Sequence, residues 1–186
     1  MLGFYFSSKP NVGLQIEKLI RKANKRSFLL SNYKKNVVSK DKLLMIYTST
    51  IRSIIEYSSN TYHTQLNKGQ VNMLETVQKK CLWIIYGYKH TYGELLQMSG
   101  LETMESRRIK LFKKFTSKTS ENPKYQSWFP LKTKLRDTRN PRPYLEDRAT
   151  SDRLYKSPLF AMWRLMNNNP PIPLDLTDLS GAFNAP

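Results

Sequence analysis

A chain of 186 residues with 39% apolar side chains is long enough to bury a core, as one domain of ordinary size or two small ones. Its 31 Lys and Arg against 14 Asp and Glu leave a net charge of +17 and a pI near 10.0, a balance that suits a polyanion far better than an acidic small molecule. The longest unbroken apolar runs, Leu43–Tyr47 and Leu82–Tyr86, cover about five residues where a membrane helix needs ~20, so no span is expected, and an anionic membrane surface, which needs a strongly amphipathic helix with large apolar residues or a lipid anchor, is not the expected partner.

The opening Leu2-Gly3-Phe4-Tyr5-Phe6 reads as a short strand broken by Ser7-Ser8-Lys9-Pro10. No good second strand follows to pair its backbone groups, so residues 1–10 are expected to be the remnant of a sheet that this chain lacks. Met1 runs into that stretch without a basic segment or a small-residue cleavage site, which disfavours a secretory signal and favours an intracellular protein.

From Val12 the apolar positions Ile16, Leu19, Ile20, Ala23 and Leu30 recur at helical spacing, with cations on the other faces, which predicts a helix over 12–32. Ser39 suits an N-cap with Asp41 in the first turn, and Leu43, Leu44, Ile46, Tyr47, Thr50, Ile51, Ile54 and Ile55 form the wide apolar face of a largely buried second helix. Turn-prone residues Ser58-Ser59-Asn60-Thr61 and Asn67-Lys68-Gly69 follow. Val71, Leu74, Val77, Gln78, Cys81, Leu82 and Ile85 then give a third helix closed by Gly87. Thr91 and Glu94 are spaced as a capping box, Gly100 reads as a second helix stop, and Thr103 with Glu105 opens a helix through Ile109, Leu111, Phe112 and Phe115.

Beyond Thr119 the texture turns irregular and basic, with Asn122-Pro123, Trp128-Phe129-Pro130 and Arg136, Arg139, Arg142, Arg148 and Arg153; extended structure lying on the helices is expected. Ser157-Pro158 reads as an N-cap with proline at the first helical position, launching Leu159, Met162, Trp163, Leu165 and Met166. The Pro-rich remainder is expected to be a disordered tail. The fold class is therefore all-α: a helical bundle with a three-helix unit at 11–87, a helical extension at 88–120, an Arg-rich arm with one short helix at 121–169 and a tail at 170–186, after a short N-terminal strand remnant.

Several segments taken in order resemble the C-terminal part of non-LTR (LINE-type) retrotransposon reverse transcriptases. The Leu2-Gly3-Phe4 stretch resembles the strand that leaves the palm, Glu17 to Arg26 the first thumb helix and Tyr47 to Tyr57 the second. Leu74-Glu75 with Gln78-Lys79, running to Gly87, and Gly100-Leu101-Glu102-Thr103 with Arg107-Arg108 continue the match, which covers about residues 2–169. The resemblance implies a chain that grips an RNA/DNA template-primer duplex beside a polymerase palm domain, in an intracellular, nuclear setting. One departure matters: the family's aromatic-x-Asp-Asp motif, whose carboxylates hold two metal ions, is missing, and no Asp-Asp pair exists in the chain. Glu146-Asp147 reads instead as an ion-pair partner for Arg142 and Arg148. Catalysis by this chain alone is not expected, nor is a cofactor or a metal.

The binding candidates are Lys18, Arg21, Lys22, Lys25 and Arg26 on the first helix, because cations at i, i+3, i+4 and i+7 can follow a run of phosphates. Lys34 and Lys35 with Lys40 and Lys42 flank the following turn, and Lys79-Lys80 with Lys110, Lys113 and Lys114 can extend the same track or serve as ordinary surface charge. Trp83, Trp128 and Trp163 with Tyr86 and Tyr88 are expected to be buried rather than to stack on bases. His63 and His90 have no acid or thiol at useful spacing, and the single Cys81 can form no internal disulfide. The alternative reading is a stand-alone helical protein-interaction module derived from a retroelement.

Overall fold

The structure, a computed structural model, describes residues 12–132, 144 and 148–167. The strand remnant, the disordered tail, Arg136, Arg139, Arg142 and the Glu146-Asp147 pair lie outside the described residues. Within them the fold is all-α, with no strand and only an isolated antiparallel bridge between Leu131 and Tyr144. By their contacts these residues divide into two compact units: one holds those up to Ser59 with Gly69–Arg108, the other Asn60–Lys68 with those from Ile109 onward.

The first unit is led by helix α1, Val12–Lys35, which buries Ile16, Leu19, Ala23 and Leu30 on the face that the sequence spacing marks. It runs one turn past the expected end, because Lys34 and Lys35 are favoured in a last turn where backbone carbonyls lack partners. The stop falls at Val37, a β-branched residue at φ 57°. Side chains other than glycine and asparagine rarely accept that conformation, which costs roughly 1–2 kcal/mol.

The expected second helix is not uniform. It consists of α2, Lys40–Ile46, a π-helical segment, Tyr47–Arg52, and α3, Ser53–Glu56. Its most deeply buried residues, Leu43, Tyr47, Ile51 and Ile55, recur every fourth position. On a regular helix of 3.6 residues per turn each such step overshoots by about 40°, and the wider π turn absorbs the drift so that all four keep facing the core. Hydroxyls of Thr48, Ser49, Thr50 and Ser53 bond back to carbonyls three or four residues earlier, which further loosens the regular ladder. Ser39 occupies the N-cap of α2 with extended backbone, but its hydroxyl makes no capping bond.

Helix α4, Ser59–Tyr62, and a 3-10 turn, His63–Gln65, follow. Lys68 and Gly69, expected in a loop, already lie in helix α5, Lys68–Tyr86, which buries Val71, Leu74, Val77, Gln78, Cys81, Leu82, Ile84 and Ile85. Gly87 has φ 112° and closes it as the sequence indicates. Helix α6, Tyr92–Ser99, carries a complete capping box: Glu94 N donates to Thr91 Oγ1 at 3.4 Å and Thr91 N donates to Glu94 Oε2 at 2.8 Å. Gly100 caps its other end at φ 64°.

Helix α7, Met104–Ser120, begins in the first unit. The boundary at Arg108 falls inside the expected 88–120 extension because Glu75 and Gln78 tie the first turn of α7 and its approach to α5. Glu75 accepts the Tyr92 hydroxyl and the backbone N–H groups of Met104 and Glu105, the latter at 2.8 Å. The fully buried Gln78 accepts from Tyr47 Oη at 2.8 Å and donates through Nε2 to Tyr92 Oη at 3.0 Å and to the Glu102 carbonyl at 2.9 Å. Glu56 accepts from Arg52 Nε at 2.6 Å and Arg107 Nε at 3.1 Å. Burial and the Glu75 hydrogen bond push the Tyr92 hydroxyl well above its ordinary pKa.

The second unit centres on Phe112, Phe129, Phe160, Met162 and Trp163. The stretch expected to be extended contains instead a 3-10 helix, Pro123–Trp128, and short α8, Asp152–Tyr155. Ser157 and Pro158 open α9, Pro158–Met166, as the sequence indicates. Trp163 Nε1 donates to the Trp128 carbonyl at 2.6 Å. The Asn167 amide pairs with both backbone groups of Tyr144, accepting its N–H at 3.0 Å and donating to its C=O at 3.3 Å. Thr64 Oγ1 donates to the Lys156 carbonyl at 2.7 Å, and His63 packs its ring 5.6 Å from Phe112. Among the described residues no helix is long and apolar enough to cross a membrane.

Candidate nucleic-acid interface

Helix α1 carries seven cations against a single acid, Glu17. With the apolar residues of α1 packed against α2, the π segment and α3, the opposite side of the helix is the one left to solvent. At 100° per residue, Lys18, Arg21, Lys22 and Lys25 fall within an arc of about 100° on that outer side. Arg21, Lys22 and Lys25 are exposed and Lys18 is half-exposed.

Beside them an open groove of about 700 Å³ runs between α1 and α5, lined by Glu17, Ile20, Arg21, Asn24, Lys25 and Met73. Two of these lining residues, Ile20 and Met73, are apolar, and three, Arg21, Asn24 and Lys25, are cationic or amide. Three exposed cations in register over about 6 Å of helix present a spacing that a phosphate backbone can follow.

Arg26 is placed differently from the other α1 candidates. Its Nη1 donates to the Thr50 carbonyl at 2.6 Å, inside the π segment, so part of its donor set holds the fold together. Lys34 and Lys35 are exposed at the C-terminal end of α1, where they complement the helix dipole. Lys40 and Lys42 are exposed in the first turn and a half of α2, with Lys40 Nζ 5.9 Å from the Tyr86 ring centroid. Lys79 also has a partner: its Nζ lies 4.7 Å over the Trp83 ring. Lys80, Lys110, Lys113 and Lys114 are exposed.

The aromatic expectation needs correction. Trp163 is buried, but Tyr88 is 73% exposed and Trp128 45% exposed, while Trp83 and Tyr86 are half-buried. Trp83 keeps its polar edge satisfied by donating to the His90 carbonyl at 3.0 Å, so a partly wet position costs it little.

The outer face of α1 holds more than cations. Phe28 is 66% exposed and Leu29 51%, with Tyr33 also open to solvent. These three were missed in reading the apolar stripe, although a signal existed: Phe28-Leu29-Leu30 is a run of three consecutive apolar residues, and a helix that packs on one side can bury only one of them, here Leu30. Among the described residues no three His, Cys, Asp or Glu side chains come together as a metal site. Cys81 is buried, and burial pushes its thiol up to about 12, far from a reactive thiolate.

Comparison with protein-family models, with characterised proteins and with solved structures finds no match for this chain.

Proposed function

We propose that this chain binds nucleic acid in a sequence-tolerant way through the outer face of α1, as the thumb-like C-terminal part of a non-LTR retrotransposon reverse transcriptase, and carries out no bond-making chemistry itself. The observation that supports this reading most directly is the group of exposed cations Arg21, Lys22 and Lys25 on one arc, in a chain whose net charge is +17. Like charges held that close repel one another, and a polyanion laid along the helix relieves the repulsion while releasing its own counterions. The order of sequence segments that resemble the family adds the expected ligand, a template-primer duplex, and the expected neighbour, a polymerase palm. The absence of an Asp-Asp pair anywhere in the sequence argues against two-metal nucleotidyl transfer by this chain.

The test is a titration of the full chain with a blunt RNA/DNA duplex over a range of salt. The logarithm of the binding constant is expected to fall linearly with the logarithm of salt concentration, by about 0.9 for each phosphate neutralised. In the triple variant R21Q/K22Q/K25Q the slope is expected to shrink by about 0.9 per lost contact and affinity to drop by similar factors for unrelated sequences. A flat salt response of the unaltered chain would overturn the proposal. Weakening confined to one sequence would point to base readout instead.

A further inference from the structure

We infer that Ser151 is a phosphorylation site, the substrate hydroxyl of a protein kinase that recognises arginine three residues before its serine and takes the phosphoryl group from ATP. The inference is independent of nucleic-acid binding and concerns the second unit. Four Ser or Thr residues among those described follow a cation by three positions: Thr116, Ser117, Ser127 and Ser151. A kinase cleft takes its peptide in extended form, so that alternate side chains reach its pockets, and a residue held in a helix has to unfold first.

Three of the four are unsuited by their surroundings. Thr116 is fully buried, and its Oγ1 donates to the Phe112 carbonyl at 3.0 Å. Ser117 is exposed but lies inside α7, where its hydroxyl hydrogen goes to Glu121 Oε1 at 2.7 Å. Ser127 lies within the 3-10 helix Pro123–Trp128, and the cation before it is Lys124.

Ser151 combines an open position with the stronger recognition element. Its backbone is extended, at φ −150° and ψ 153°, and Arg148 and every residue from Thr150 to Leu154 are exposed. Ser151 Oγ accepts the Leu154 N–H at 3.2 Å, a bond that does not use the hydroxyl hydrogen. Helix α8 beyond it is a single turn of four residues, too short to persist by its own hydrogen bonds, so fitting the segment to a cleft costs little. The planar fork of Arg148 can pair with a kinase carboxylate through two parallel hydrogen bonds, which a lysine cannot do.

In the transfer, Ser151 Oγ forms a bond to the γ-phosphorus of ATP while the bond from that phosphorus to the β,γ-bridging oxygen breaks. ADP leaves with the electron pair, and the hydroxyl proton passes to the kinase's catalytic carboxylate. Residues 148–156 carry Arg148, Arg153 and Lys156 against Asp152. A phosphate brings about −1.5 to −2 charges at neutral pH, so the modification discharges a stretch that is otherwise basic.

The experiment incubates the full folded chain with ATP and an activated calmodulin-dependent protein kinase, whose substrates carry arginine three residues before the serine, and locates the phosphate by tandem mass spectrometry. Ser151 is expected to be labelled ahead of every other site. Arg148→Ala is expected to lower kcat/KM for Ser151 by at least about 10-fold, the value of one charge-assisted pair, and Arg148→Lys to lower it less. Ser151→Asn keeps an oxygen for the Leu154 N–H and is expected to abolish the label without moving the thermal midpoint, checked by circular dichroism. Absence of label, label placed first on Ser117, Ser127 or Thr150, or a rate at Ser151 untouched by Arg148→Ala would each overturn the inference, and none of them bears on the electrostatic reading of α1.

Discussion

The two compact units are held together by different chemistry. The first is built from long helices whose buried residues are mainly aliphatic, stitched by a polar relay through Tyr47, Gln78, Tyr92 and Glu75. The second has a small core of three phenylalanines, a methionine and a tryptophan. Regular helices satisfy their own backbone groups, so the first unit uses side-chain amides and carboxylates to join one helix to another. Side chains take up backbone partners in both units: Glu75 accepts from Met104 and Glu105 N–H and Gln78 donates to the Glu102 carbonyl in the first, while in the second Asn167 pairs with Tyr144, Trp163 with the Trp128 carbonyl and Thr64 with the Lys156 carbonyl.

The sharpest way to break this contrast is to delete the central ring of the second unit. Trp163→Ala is expected to cost about 3–5 kcal/mol, the range for large-to-small changes in a core with few other members to close the gap. Loss of hydrogen-exchange protection across α9 measures it; retention of that protection would show that the aromatic cluster does not hold the unit. In the first unit Gln78→Ala is expected to cost about 1–3 kcal/mol, because the Tyr47 hydroxyl loses its buried acceptor and the Glu102 carbonyl its donor. Urea unfolding reads this, and a neutral result would mean that aliphatic packing alone joins α5 to the π segment.

A smaller gain is expected from Val37→Asn, about 1 kcal/mol of stabilisation, because asparagine tolerates the left-handed backbone that Val37 occupies. A lower thermal midpoint would show that the conformation is not strained. The smallest effect concerns the Thr91–Glu94 capping box. Backbone and side-chain hydrogen bonds from Thr91 hold the Glu94 carboxyl below its ordinary pKa. Its stabilising contribution is therefore complete above the unfolded value of about 4.3 and is lost as pH falls through the lower folded value. Exchange protection at α6 is expected to weaken over that acid range in the unaltered chain and to be flat there in Glu94→Gln.

These elements also show how far sequence reasoning reached. The end of α5, the capping box of α6, the start of α9 and the stops at Gly87 and Gly100 were legible because each depends on residues within a turn or two of one another, whereas the start of α5 at Lys68 was not. The exposed cations of α1 were legible for the same reason, as the complement of its apolar stripe. The π segment was half legible: its every-fourth spacing stands in the sequence, but only a partner surface decides that the backbone widens rather than letting the residues drift off the core.

Composition, charge and helical periodicity thus determined an all-α chain with a positive first helix, since those properties follow from local geometry and need no knowledge of neighbours. Only the tertiary structure decided that Arg26 is partly spent on the Thr50 carbonyl, that 60–68 groups with the C-terminal unit, and that Phe28, Leu29 and Tyr33 stay in water. The physical reason is that burial and long-range hydrogen bonding are set by what packs against a residue, and residues distant in sequence supply that surface.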